Sequence, residues 1–89
     1  MYEFRWNSWN IEHIAEHGVT PDEAEYVVRH ARPPFPREVG NGKVLARGQT
    51  FTGTYLQVIF ILDPEETIYV IHARPMKDIE KRQFRRSRR

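Results

Sequence analysis

The side chains of this 89-residue chain that can move protons or hold anions are four histidines, at 13, 17, 30 and 72, and fourteen lysines and arginines. An unperturbed imidazole titrates near ~6.5, so it can take or give a proton at neutral pH. A guanidinium presents a planar fork that pairs with two phosphate oxygens at once. These are side-chain types that phosphodiester cleavage without a metal would use, though their presence alone establishes only groups able to move protons and hold anions. A base removes the 2′-hydroxyl proton, cations stabilise the phosphorane, and an acid or cation assists the leaving 5′-oxygen.

His72 and Arg74 stand at the end of Thr67-Ile-Tyr-Val-Ile-His-Ala-Arg, an apolar run that reads as a strand. Simple alternation puts His72 on one face with Ile68, Val70 and Arg74. Arg74 precedes Pro75 and is therefore extended, projecting from the strand end. The plainer alternatives are a sheet-edge hydrogen bond for His72, and for Arg74 a pair with Glu38 or a helix carboxylate. Arg47 shares a side of an earlier strand with Leu45 and can face the same surface. His17 closes the first helix, where the dipole favours a charged imidazole; capping or packing there is the simple alternative to proton transfer. His13 and His17 are four apart and imitate a two-histidine metal site. However, Ile14 stands where a zincin needs Glu, and no third ligand is placed, so neither metal nor cofactor is expected.

These groups must be positioned by a small number of elements. Tyr2, Phe4 and Trp6 alternate with Glu3 and Arg5, the period of a half-buried strand. Asn7 or Ser8 caps a first helix that runs to about His17, with Gly18 as its stop and Ile11, Ile14 and Ala15 as its apolar stripe. Thr20-Pro21-Asp22-Glu23 starts a second helix to His30, with a capping box and Ala24, Val27, Val28 and Ala31 on one face. Prolines 33, 34 and 36 end it, and Arg32 to Asn41 reads as a loop. Strands follow at Lys43–Gln49, Tyr55–Leu62 and Thr67–Ala73, joined by turns at Thr50–Thr54 and Asp63–Glu66. The nearly continuous apolar run of the second marks it as central and covered on both faces. A last helix after Pro75 docks through Met76, Ile79 and Phe84. The expected order is β-α-α-β-β-β-α: one small α+β domain over residues 1–89, built on a mainly antiparallel four-stranded sheet.

Charge is distributed unevenly. From Arg74 onward there are eight Lys/Arg against two Asp/Glu, so the modest net charge of +2 hides a cationic end. Lys77, Lys81 and Arg85 form a stripe with a four-residue repeat; with Arg82 and Arg86 they are the candidates for nucleic-acid contact, and residues 85–89 are expected to fray. Trp6, Trp9, Phe51 and Tyr55 can stack on bases, although packing explains Trp6 and Tyr55 more simply. The absence of cysteine excludes disulfides and thiolate zinc sites. Neither a signal-peptide pattern nor a membrane-length apolar run is present, and a cytoplasmic protein is expected. No helix-turn-helix with a basic second helix is legible.

Several pieces together resemble the BrnT-like family of toxin–antitoxin systems, whose fold belongs with the RelE-like ribonucleases. They are Trp6-Asn7, His17-Gly18-Val19-Thr20 with Glu23, Arg47-Gly48-Gln49-Thr50 with Gly53, and Ala73-Arg74-Pro75-Met76 followed by Glu80-Lys81-Arg82. They occur in the family's order over nearly the whole chain. Three positions depart from its usual pattern: Glu16 instead of a cation before His-Gly, Asn7 instead of Asp after Trp, and His72 instead of Ser or Thr before Ala-Arg. The resemblance implies a RelE/BrnT-like fold and a ribonuclease toxin, with His17, Arg47, His72 and Arg74 as its catalytic candidates. It also implies a DNA-binding, BrnA-like antitoxin as partner, and with it a hetero-oligomer or a homodimer. The alternative from another class is a non-catalytic binding module that only holds an antitoxin-like protein or nucleic acid.

Overall fold

Asn7 opens the first helix with a reciprocal cap: its side chain accepts from the Asn10 backbone, and the Asn10 side chain accepts from Asn7 N–H. In the computed structural model, which describes residues 3–88, this helix is α1 (Ser8–Ala15). It ends before Gly18, whose φ of 74° reverses the chain. Thr20 and Glu23 form the expected box in front of α2 (Pro21–Arg29), with Pro21 inside its first turn. Four strands follow, β1 (Arg37–Gly40), β2 (Lys43–Gln49), β3 (Tyr55–Leu62) and β4 (Ile68–Pro75), and then α3 (Asp78–Arg86). The strands pair in chain order as an antiparallel meander, so the molecule is a small α+β domain with three helices.

Alternation along β3 divides the core in two. Leu56, Val58 and Phe60 join Ala46, Ile68, Val70 and Ala73 under Ile14, Val19, Ala24, Val27 and Val28 of the α1–α2 layer. On the other side, Tyr55 and Ile59 pack with Phe35, Leu45, Met76 and Phe84, the last from α3. Each fully buried aliphatic, such as Ile14 or Leu56, contributes roughly 1.5–3 kcal/mol by leaving water.

The sheet departs from the expected one at both edges. The stretch expected to be a first strand makes one parallel bridge, Phe4 to Ile68, with Arg5 N–H donating to the Ile68 carbonyl and Ile68 N–H to that of Glu3. Tyr2 lies outside the described residues. Beyond Phe4 the edge of β4 is served by a side chain: Asn10, wholly buried, donates from Nδ2 to the carbonyls of Val70 and Arg5 at 3.1 Å each. The fourth full strand is instead β1, in the segment expected to be loop. Asn41 and Gly42, at φ 55° and 74°, form the two-residue turn that returns β1 into β2. Asn-Gly is the residue pair such a turn favours.

β4 also contains a bulge. Ile59 pairs with His72 and Phe60 with Val70, which leaves Ile71 as the extra residue. The inward alternation therefore passes from Ile68 and Val70 to Ala73. His72 does not share a face with Ile68 and Val70 as simple alternation predicts; it is aligned with Arg74, two residues on.

The C-terminal helix docks through Phe84, with Met76 buried just ahead of the helix, whereas Ile79 is half-exposed. Arg85 and Arg86 belong to α3 instead of to a frayed end. Ser87 Oγ then donates to the Phe84 carbonyl, and Arg88 donates to the carbonyls of Arg32 and Pro33 at 3.3 and 3.2 Å. Arg89 lies outside the described residues. Among the described residues, no helix is long and apolar enough to cross a membrane.

Candidate functional site: an imidazole cluster beside an arginine–glutamate cluster

α1 lies along the β4 edge, and the bulge brings His72 to that edge. The His72 ring sits 5.5 Å from His17 and 6.3 Å from His13, centroid to centroid. Elements more than fifty residues apart in sequence thus bring three imidazoles together. Among the described residues no carboxylate pairs with any of the three. Partial burial lowers the His72 pKa below its ordinary 6.5, and the neighbouring His17, Arg74 and His13 lower it further. At neutral pH His72 is therefore an uncharged imidazole able to accept a proton. His30 stands elsewhere, stacked on Tyr26 at 4.0 Å with Nδ1 against the Tyr26 carbonyl.

Arg47 and Arg74 also meet, and a carboxylate joins them. Arg74 grips Glu80 with both terminal nitrogens, at 2.7 Å to each carboxylate oxygen. Arg47 Nη2 stands 3.8 Å from Glu80 Oε2, while its Nε donates to Gln57 Oε1 and its Nη1 to Gln83 Oε1. Glu80 also accepts the Lys77 backbone N–H at 2.8 Å, so one carboxylate both starts α3 and ties it to β2 and β4. Arg74, chiefly through its bond to Glu80, holds that carboxyl down at about 2 and is itself pushed up. Arg47 moves the opposite way because burial, the stronger influence, outweighs the attraction of Glu80. The partner found for Arg74 is thus the helix carboxylate, not Glu38.

The four sequence-derived candidates form a continuous arrangement. His17 touches His72, His72 lies within the field of Arg74, and Arg74 and Arg47 share Glu80. The cationic stripe lies farther along α3. Lys81 and Arg85 flank the Tyr55 ring at 5.8 and 5.1 Å, and Arg85 Nε donates to the Tyr55 hydroxyl. Lys77 is the α3 N-cap, and Arg82 and Arg86 are exposed helical positions. A shallow cavity of about 280 Å³ lies between Arg32, Pro33, Ser87 and Arg88 and includes none of the histidines. Among the described residues no three His, Cys, Asp or Glu side chains are arranged to hold a metal ion.

Two features of the surroundings were not anticipated. Gln57 and Gln83 orient Arg47, and nothing in an isolated glutamine marks it for that role. Beside the imidazoles, Trp9 stacks with His13 (4.9 Å, 12° between planes) and with Tyr69 (6.3 Å, 18°) while remaining 53% exposed. Arg5 lies 4.1 Å over the Tyr69 ring and pairs with Asp63. The position of Trp9, one helical turn before His13, was the available signal. Comparison of the chain with protein-family models, curated proteins and solved structures found no match.

Proposed function

We propose that this chain is a metal-independent endoribonuclease of the toxin type, with the BrnT-like and RelE-like kinship its motifs suggest, acting inside the cell and held in check by a DNA-binding antitoxin. The observation that supports this reading best is the meeting of His17 and His72 beside Arg74. Neutral His72 takes the proton of a ribose 2′-hydroxyl. The freed oxygen attacks the adjacent phosphorus, the bond from phosphorus to the 5′-oxygen breaks, and His17 delivers a proton to that oxygen. The products are a 2′,3′-cyclic phosphate and a 5′-hydroxyl, with no net oxidation and no co-reactant. Arg74 and Arg47 supply positive potential at the phosphorane, and Lys77, Lys81, Arg82, Arg85 and Arg86 steer the polyanion.

A second reading is favoured by a specific observation: Glu80 already occupies the fork of Arg74 and draws on Arg47. In a non-catalytic module the same cluster would only fasten α3 to the sheet, and the chain would hold an antitoxin-like protein or a nucleic acid without cutting it. The two readings separate in one experiment. Purified protein is incubated with RNA in chelator, beside His72→Ala and Arg74→Ala, and each is also expressed in cells. Cleavage and growth arrest by the wild type, lost in His72→Ala, support the enzyme. Equal and zero cleavage by all three, with no growth arrest, overturns it and leaves the binding module.

A further inference from the structure

Trp9 is one of several exposed large apolar side chains among the described residues, and it is the one whose ring stands next to the imidazoles. A half-exposed indole on a helix of a domain this small leaves apolar surface in water, and core packing does not require it there. Two flat side chains stand beside it. Tyr69, Trp9 and His13 present nearly parallel planes, and His13 in turn reaches His72 at 6.3 Å. One side chain therefore bridges the exposed indole to the imidazole that would take the 2′-hydroxyl proton. Indole is also a strong stacking surface for nucleobases, tolerant of sequence because every base has a π-face.

Charge narrows the path of the backbone. Glu12 on α1 and Glu16 at its C-cap are exposed and repel phosphates from the outer side of the helix. On the β4 side stand Arg5, which also pairs with Asp63, and Arg74, which shares Glu80 with Arg47 and acts on His72. A strand crossing here is drawn with its phosphates toward β4 and its bases toward Trp9.

We propose that Trp9 is a stacking subsite for a base of single-stranded RNA, the base next to the phosphate that reaches His17 and His72. The assignment rests on the ribonuclease reading for the identity of that phosphate, while the stacking itself is independent of cleavage. Binding is measured by fluorescence anisotropy with the full chain and a labelled 2′-O-methyl oligoribonucleotide of mixed sequence, about twelve nucleotides long, which cannot be cut. A matched strand of abasic nucleotides is the second probe. Trp9→Ala is expected to weaken binding of the base-bearing strand about 5- to 150-fold. Trp9→Phe should retain most of the affinity. Trp9→Leu keeps apolar bulk without a flat ring and should fall with alanine, so the conclusion stands if Trp9→Ala folds poorly. On the abasic strand all folded variants should bind alike.

Equal binding of the base-bearing strand by wild type, Trp9→Ala and Trp9→Leu overturns the subsite and reassigns the exposed indole to a protein contact. Trp9-dependent binding without cleavage of unmodified RNA keeps the subsite and overturns the ribonuclease reading. Cleavage with Trp9-independent binding does the reverse. No binding to either strand overturns both.

Discussion

The two ends of the candidate site are built on opposite principles. At the imidazole end, His72 faces both His13 and His17, His13 stacks on Trp9, and among the described residues none of the three histidines is paired with a carboxylate. At the guanidinium end, Glu80 takes both terminal nitrogens of Arg74 and attracts Arg47, which two glutamines also orient. The first arrangement leaves its groups ready for an outside partner. The second satisfies its groups internally and fastens three elements together. Part of the positive charge counted in the sequence is therefore neutralised within the fold, by one carboxylate on the last helix facing two guanidinium groups. Under the proposed function, proton transfer belongs at the imidazole end, while the guanidinium end also fastens the fold.

Substitutions can break that division. The largest effect expected is on cleavage: His72→Ala should lower the rate about 10²- to 10⁴-fold, with little change in melting temperature, as measured on a defined RNA and by calorimetry. A comparable loss of stability would place His72 with the structural groups instead. Next is Glu80→Ala, which removes a fork-to-fork pair and a helix cap and should cost roughly 2 kcal/mol. In a domain of this size that lowers the melting temperature by about 10 °C. An unchanged melting temperature would show that the cluster is not a fastener.

Acid should probe the same fastener. The Glu80 carboxyl is depressed from an ordinary 4.5 to about 2, and Asp63, bonded first by the Thr67 hydroxyl and also by Arg5, from 3.8 to about 2. A depressed carboxyl binds fewer protons folded than unfolded, so its stabilisation is full above the ordinary value and is lost as pH falls through about 2. Urea midpoints measured from pH 6 to pH 2 should therefore drop mainly below about 4.5. The drop should be shallower in Glu80→Gln, with the Asp63 part remaining. His72 contributes in its own window. Its lowered pKa means that acid protonates the unfolded chain first, so its share of stability falls as pH drops through 6.5. The smallest effects belong to the α3 stripe. Lys81→Ala and Arg85→Ala should each change stability by less than about 0.5 kcal/mol while reducing the salt dependence of RNA binding by about one charge.

How much of this was legible depends on whether the signal was local. Asn7, Thr20 and Glu23 announce their caps, and the bounds of β2 and β3 follow from alternation and apolar run, because each depends on neighbours a few residues away. Asn41-Gly42 was an equally local signal, yet the prolines before it made the region read as loop, and β1 was missed. The N-terminal stretch has strand periodicity, but the buried amide of Asn10 takes over the β4 edge beyond the Phe4 bridge. The bulge at Ile71 is silent in sequence, since one extra residue changes no composition, but it shifts every later position to the other face. For the same reason His72 was found as a candidate while its neighbours His13 and His17 could not be assigned to it. Glu80 was visible as a helix carboxylate. That it meets both arginines depends on how α3 crosses the sheet, which no local pattern encodes.

The central claim is that the imidazole end transfers protons without a metal. The most direct measurement is the chemistry of the RNA ends produced in chelator by the wild type, His17→Ala and His72→Ala. The account predicts 2′,3′-cyclic phosphate and 5′-hydroxyl ends from the wild type and a severe loss of both in either variant. Wild-type protein that leaves the RNA whole, or variants that cut as fast and with the same ends, would contradict it.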